Sequence, residues 1–136
     1  MASKLFLDAN VLLEYFLQRQ NREFVRDIFV RAESGTIKAF TSTSIIQICG
    51  YFLQKEYGKE TTIKILLGLL NEVRVIDCKH NSVVMALNSS ISDIEDAIQY
   101  YSALQHKMDY YITFDKKLIT HSASNLPIVT PMEFLK

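Results

Sequence analysis

Glycine and proline are scarce in this chain, with four and two residues among 136. None of the glycines forms a Gly-x-Gly-x-x-Gly run, a Gly-Lys-Ser/Thr loop or a Gly-x-Ser-x-Gly elbow. Phosphate cradling by a glycine loop and serine-hydrolase chemistry on a strained turn are therefore excluded. The two cysteines, Cys49 and Cys78, lack Cys-x-x-Cys spacing, and His80, His106 and His121 stand alone without zinc-ligand spacing. Two free, buried thiols in a reducing, cytoplasmic compartment are the expectation. Excess charge of either sign is also missing, because 15 basic residues face 15 acidic ones. A nonspecific nucleic-acid binder usually carries surplus positive charge, since phosphate neutralisation supplies most of that affinity. Here such contact needs a local basic patch or a metal ion. No apolar run is long enough to cross a bilayer; Ile63 to Leu70 is among the longest. The run Met1 to Leu5 enters a strand-like pattern at once, so neither a secretory signal nor a membrane anchor is expected.

What is present is an alternation of strand and helix from end to end. Lys4 to Asp8, Lys38 to Thr41, Val73 to Ile76, Tyr110 to Thr113 and Pro127 to Thr130 are short, apolar or β-branched runs. Between them, Val11 to Leu17, Asn21 to Glu33, Ser44 to Glu56, Glu60 to Leu70, Asn81 to Leu87 and Asp93 to Lys107 have helical spacing. Gly35 and Gly58 stand where helices should stop, and Pro131 to Leu135 should form a terminal turn or helix. The pattern predicts one domain over residues 1–136, long enough to bury about two-thirds of its unfolded surface. Five strands separated by helices argue for a three-layer α/β/α sandwich around a mostly parallel sheet. Such sheets bind ligands beyond the carboxyl ends of their strands, where strand order reverses.

Three acidic stretches fall at such ends. Asp8-Ala9-Asn10 follows the first strand, and Asp8 also suits a helix N-cap. Ser92-Asp93-Ile94-Glu95-Asp96 opens a helix, where Ser92 and Glu95 fit a capping box and Asp93 and Asp96 share a face. Thr113-Phe114-Asp115 follows the fourth strand. If these ends are neighbours, the carboxylates would repel one another unless a cation neutralised them. Oxygen donors without histidine or cysteine suit Mg²⁺ or Mn²⁺. Caps and solvated turns are the competing reading of the same acids. Lys116 and Lys117 follow directly, as a solvated turn or as phosphate ligands.

The stretches Leu7-Asp8-Ala9-Asn10-Val11-Leu12-Leu13, Asp93 to Tyr100 and Asp109 to Lys117 resemble the motifs of the PIN (PilT N-terminus) family, in order and spacing. The ending Leu126 to Leu135 is similar to the close of many bacterial members. The resemblance implies a metal-dependent ribonuclease, often the toxin of a toxin–antitoxin pair, with RNA as substrate, an antitoxin as partner and a homodimer as assembly. It implies that Asp8, Asp96 and Asp115 are catalytic and metal-binding acids, with Asp93 accessory and Asn10 and Thr113 steadying the site. The chain departs from the pattern at Gln47, where the family usually has glutamate. A neutral amide can coordinate through oxygen but brings no charge and cannot act as a base. Gln47 also fits a capping box with Ser44. A catalytically impaired PIN-fold module that binds RNA or protein is therefore the alternative. A receiver-like phosphoacceptor domain shares the strand–helix pattern, but it wants an acidic pair after strand one, where Asp8 has only Ala9 and Asn10 beside it.

Overall fold

The computed structural model describes residues 2–122 and 125–136; Met1, at the head of the run expected to start the first strand, lies outside them. The chain runs β1 (Ser3–Leu7), α1 (Ala9–Phe16), α2 (Arg22–Glu33), β2 (Ile37–Ser42), α3 (Thr43–Tyr57), α4 (Lys59–Leu69), β3 (Val73–Ile76), α5 (His80–Leu87), α6 (Ile94–Gln105), β4 (Tyr110–Ile112), α7 (Lys116–Ile119), β5 (Ile128–Val129) and α8 (Pro131–Leu135). The sheet order is β3-β2-β1-β4-β5, and every strand pair is parallel. Strand order therefore reverses between β1 and β4, the expected place for a ligand. Right-handed crossovers put α1 to α4 on one face and α5 to α7 on the other. Consistently, α1 packs on α2 and α3, α3 on α4, and α5 on α6, while α8 returns against α2.

Alternation along the strands decides what faces α6. Phe6 of β1 lies in register with Tyr111 of β4. Their rings stack at 5.1 Å, and Tyr111 also meets Tyr100 of α6 at 5.8 Å. Leu5, Leu7, Val11, Leu12 and Ile112 are fully buried around this seam. Gly58 ends α3 and opens α4 at φ 83, a left-handed conformation that costs glycine nothing and lets two helices meet without a loop.

Three local expectations change. Cys49 is buried, but Cys78 is exposed in the connection between β3 and α5. The N-cap of α6 is Asp93, whose carboxylate accepts from the Asp96 amide at 3.0 Å, and not Ser92. The N-cap of α3 is Ser42, so Gln47 makes no capping box with Ser44. In both helices the capping side chain sits where the backbone is still extended, one or two residues from the expected place.

Candidate active site

The strand period of two continues past the formal ends of β1 and β4. The Asp8 amide donates to Ile112 O at 3.0 Å, and the Thr113 amide to Val129 O at 3.1 Å. Asp8 therefore points the same way as Phe6, and Thr113 the same way as Tyr111, toward α6. The two meet side by side: Thr113 Oγ1 donates to Asp8 Oδ2 at 2.9 Å. Asp8 Oδ1 accepts from the Ala9 amide at 2.8 Å, so this carboxylate is both the N-cap of α1 and the floor of the site.

Thr113 is the hub, and its proton can be placed. Its Oγ1 accepts from Asn10 Nδ2 at 3.0 Å and from the Asp115 amide at 3.1 Å. Both of those groups can only donate, so the one hydroxyl proton goes to Asp8. Asn10 is fixed in turn, since its Oδ1 accepts from the Phe114 amide at 3.0 Å. Asp115 caps α7 through Oδ1, which accepts from Lys117 N at 2.9 Å and Leu118 N at 3.4 Å. A threonine in this position thus orients three of the expected residues at once. Thr113→Val, which keeps the shape, should leave Asp8, Asn10 and the Asp115 amide each short of a partner. It is expected to lower the unfolding free energy by about 3 kcal/mol, and Thr113→Ser by under about 1 kcal/mol. Equal losses in urea unfolding would show that the hydroxyl is not the hub.

The electrostatics of the cluster are those of carboxylates without a counter-ion. Burial, opposed by the Ala9 and Thr113 hydrogen bonds, pushes the Asp8 carboxyl up to about 6. Burial and then the charges of Asp8, Asp93 and Asp115 push Asp96 up to about 7, and Asp96 stands close enough to Asp115 for a carboxyl–carboxylate hydrogen bond. The fully buried Tyr111 hydroxyl interacts with Asp8 electrostatically, yet among the described residues no partner stands at good hydrogen-bond geometry to it. Among the described residues, the ion pairs are Arg26–Glu23 and His106–Asp77, and neither reaches the cluster. Above the acids opens a cleft of about 590 Å³ lined by Asp93, Asp96, Asp115, Lys116, Lys117 and His121, among others.

The structure therefore brings Asp8, Asp93 and Asp115 within electrostatic reach of Asp96, with Asn10 and Thr113 beside Asp8 and Lys116 and Lys117 lining the cleft. Gln47 is exposed on α3, one helical turn past Ser44, and does not line this cleft. The donor set is what a hard divalent cation wants, all oxygen and short of positive charge. Among the described residues, however, no three His, Cys, Asp or Glu side chains converge tightly enough to hold a metal ion as they stand. Asp8 already has both oxygens engaged, so closure onto a cation would fall mainly to the Asp96 and Asp115 side chains.

The sequence profile of the PIN domain matches residues 4–117, which takes in every one of these acids. The chain belongs to the PIN domain family. Several solved structures share its fold. Mycobacterium tuberculosis VapC20, described as a sarcin–ricin loop cleaving toxin, superposes with a TM-score of 0.69 at 12% identity, over 89% of this chain and 97% of its own. A toxin–antitoxin complex from Klebsiella pneumoniae gives 0.70 at 20% identity, over 95% and 98%. VapBC2 from Rickettsia felis, bound to a DNA fragment from its promoter, gives 0.68 at 14% identity, over 92% and 96%. At these identities the likeness is one of fold. No curated protein matches the chain in sequence.

Two residues of the site escape sequence reasoning. His121 lines the cleft, although an isolated histidine beyond a short helix gives no signal. Gln99 is buried three residues after Asp96, on the same face of α6, and that spacing was the available clue.

Proposed function

We propose that this PIN domain is a metal-dependent endoribonuclease acting as the toxin of a toxin–antitoxin pair. One observation carries the reading: carboxylates from the ends of β1 and β4 and the start of α6 gather at the switch point, and among the described residues no lysine, arginine or histidine forms an ion pair with them. Asp8, Asp96 and Asp115 would hold Mg²⁺ or Mn²⁺, with Asp93 accessory. The bound ion would supply positive charge against the scissile phosphate and lower the pKa of water near it. Thr113 and Asn10 keep Asp8 in place, Asp115 is set by its own cap bonds, and Lys116 and Lys117 meet RNA phosphates along the rim. An antitoxin partner is supported by the complexes that similar folds form, and a cytoplasmic location by two free thiols. Self-association is supported by apolar surface left open on α3 and α4, where Tyr51, Phe52 and Leu67 are 57, 45 and 62% exposed. Tyr15 and Phe16 do not add to that surface, since they pack against Phe29.

The second reading, a PIN-fold module that binds RNA or protein without cutting, is favoured by Gln47. A panel of structured RNAs incubated with Mn²⁺, and with chelator, separates the two. Metal-dependent products support the nuclease; association without products supports the module. Gln47→Glu sharpens the test. Because residue 47 is exposed and does not line the cleft, solvent screens the added charge, and Mn²⁺ affinity is expected to change by less than about twofold. A gain of about tenfold or more in calorimetric titration would place residue 47 within the site, against the geometry.

A further inference from the structure

Gln99 is 2% exposed, a rare place for an uncharged amide, which is costly to bury unless both its ends are bonded. Both are. Its Oε1 accepts from Ser42 Oγ at 2.5 Å, and its Nε2 donates to Ser44 Oγ. Ser42 and Ser44 lie 3.2 Å apart, Oγ to Oγ, which closes a ring of three side chains. Ser42 is also the last residue of β2 and the N-cap of α3, where its Oγ accepts from the Ile45 amide at 3.2 Å. A single ring thus joins α6 to β2 and α3 across the top of the sheet. The next residue does the opposite job: the Tyr100 hydroxyl donates to Leu126 O at 3.0 Å, beside β5. Gln99 and Tyr100 anchor α6 on the two sides of the β1–β4 seam, which fixes its rotation as well as its place.

The rotation matters because of Asp96. Asp8 and Asp115 are held by hydrogen bonds to fixed backbone donors. Among the described residues, no backbone donor holds the Asp96 carboxylate in the same way, and its neighbour there is the Asp115 carboxylate. Where it stands is decided by α6, and Gln99 is on the same helical face, one turn on. An apolar residue of the same size would fill the space without a desolvation cost, so the amide contributes direction rather than bulk. A fully satisfied buried network of this kind rigidifies what it joins.

We propose that Gln99 is a positioning residue: its clasp on Ser42 and Ser44 sets Asp96 against Asp8 and Asp115. The inference rests on the metal-dependent reading of that site. The test uses the full chain with Gln99→Leu, which removes both bonds, and Ser44→Ala, which cuts one and spares the α3 cap. Mn²⁺ affinity is read by calorimetry, global stability by urea unfolding, and the backbone amides of Ala97 to Tyr101 by hydrogen exchange. Gln99→Leu should weaken Mn²⁺ binding by about 10- to 100-fold, the range for outer-shell partners of metal ligands, and by more than its change in stability accounts for. The α6 amides should exchange faster while those of β1 do not. Adding Ser44→Ala should cost little more, because the ring is already open. Wild-type affinity with unchanged α6 exchange, or losses that simply add, would overturn the proposal. If the unaltered chain binds no Mn²⁺, the nuclease reading falls, and the clasp is still decided by α6 exchange, with unchanged exchange in both variants rejecting it.

Discussion

Asp8→Asn is expected to abolish RNA cleavage, by about a thousandfold, while the metal-free protein keeps or gains stability at pH 7. The first half follows from losing one charge from a cation site, where several kcal/mol of transition-state stabilisation are at stake. The second follows from burial. At pH 7 the wild-type carboxylate is ionised in a place that pushes its pKa up to about 6. Asparagine removes that charge. It also caps a helix about as well as aspartate, and its oxygen can still accept from the Ala9 amide, so that the removed charge offsets the one bond lost from the Thr113 hydroxyl. Asp8→Ala should behave differently, because it loses the cap of α1 as well, a cost of about 1 kcal/mol. Denaturant unfolding beside a cleavage assay checks both statements. A marked loss of metal-free stability in Asp8→Asn would make the residue a structural cap first.

The second large effect is on pH. Without metal, stability should fall as pH rises from about 4 to about 7. The folded state holds the Asp8 proton up to about 6, whereas the unfolded chain releases it near 3.8. Between those values the folded state binds more protons, so raising the pH favours unfolding; below them the contribution is fully present. Two pKa units correspond to about 3 kcal/mol for this buried group. Asp96, raised to about 7, extends the window upward by a smaller, solvent-screened amount. Saturating Mn²⁺ should reverse the slope, because metal and protons compete for the same oxygens. Asp8→Asn should flatten the metal-free curve. Urea midpoints at pH 4.5, 6 and 7.5, with and without Mn²⁺, read all three. A metal-free midpoint that rises over this range would show that the Asp8 carboxyl is not buried as described.

Much of this was legible in the sequence, for reasons specific to particular residues. β1 and β4 could be read because β-branched, aromatic and leucine residues crowd into short runs that end in a polar residue. The direction of Asp8 follows from counting two residues on from Phe6, and that of Thr113 from Tyr111. The order of acids along the chain carried the family. What escaped was of another kind. Capping depends on where the backbone turns, which composition leaves open by a residue or two, and so Asp93 and Ser42 displaced Ser92 and Ser44. Cys78 lies in a connection, outside any strand or helix whose periodicity could have told its burial. Gln99, Ser42 and Ser44 are polar residues from segments 57 and 55 positions apart. Only the assembled sheet top brings them together. Gln47 could be matched to a motif position, but the exposure of its side chain depends on how α3 is rotated about its axis, and a motif says nothing about that.

The central claim is that the acids at the β1–β4 switch point form a cation site. Calorimetric titration of the wild-type chain and of Asp8→Asn with Mn²⁺ at pH 7 tests it most directly. The account expects saturable binding by the wild type that is weakened at least tenfold in the variant, with proton uptake or release that depends on buffer because Asp8 and Asp96 titrate near this pH. Equal binding by both proteins, or no binding by either, would contradict it.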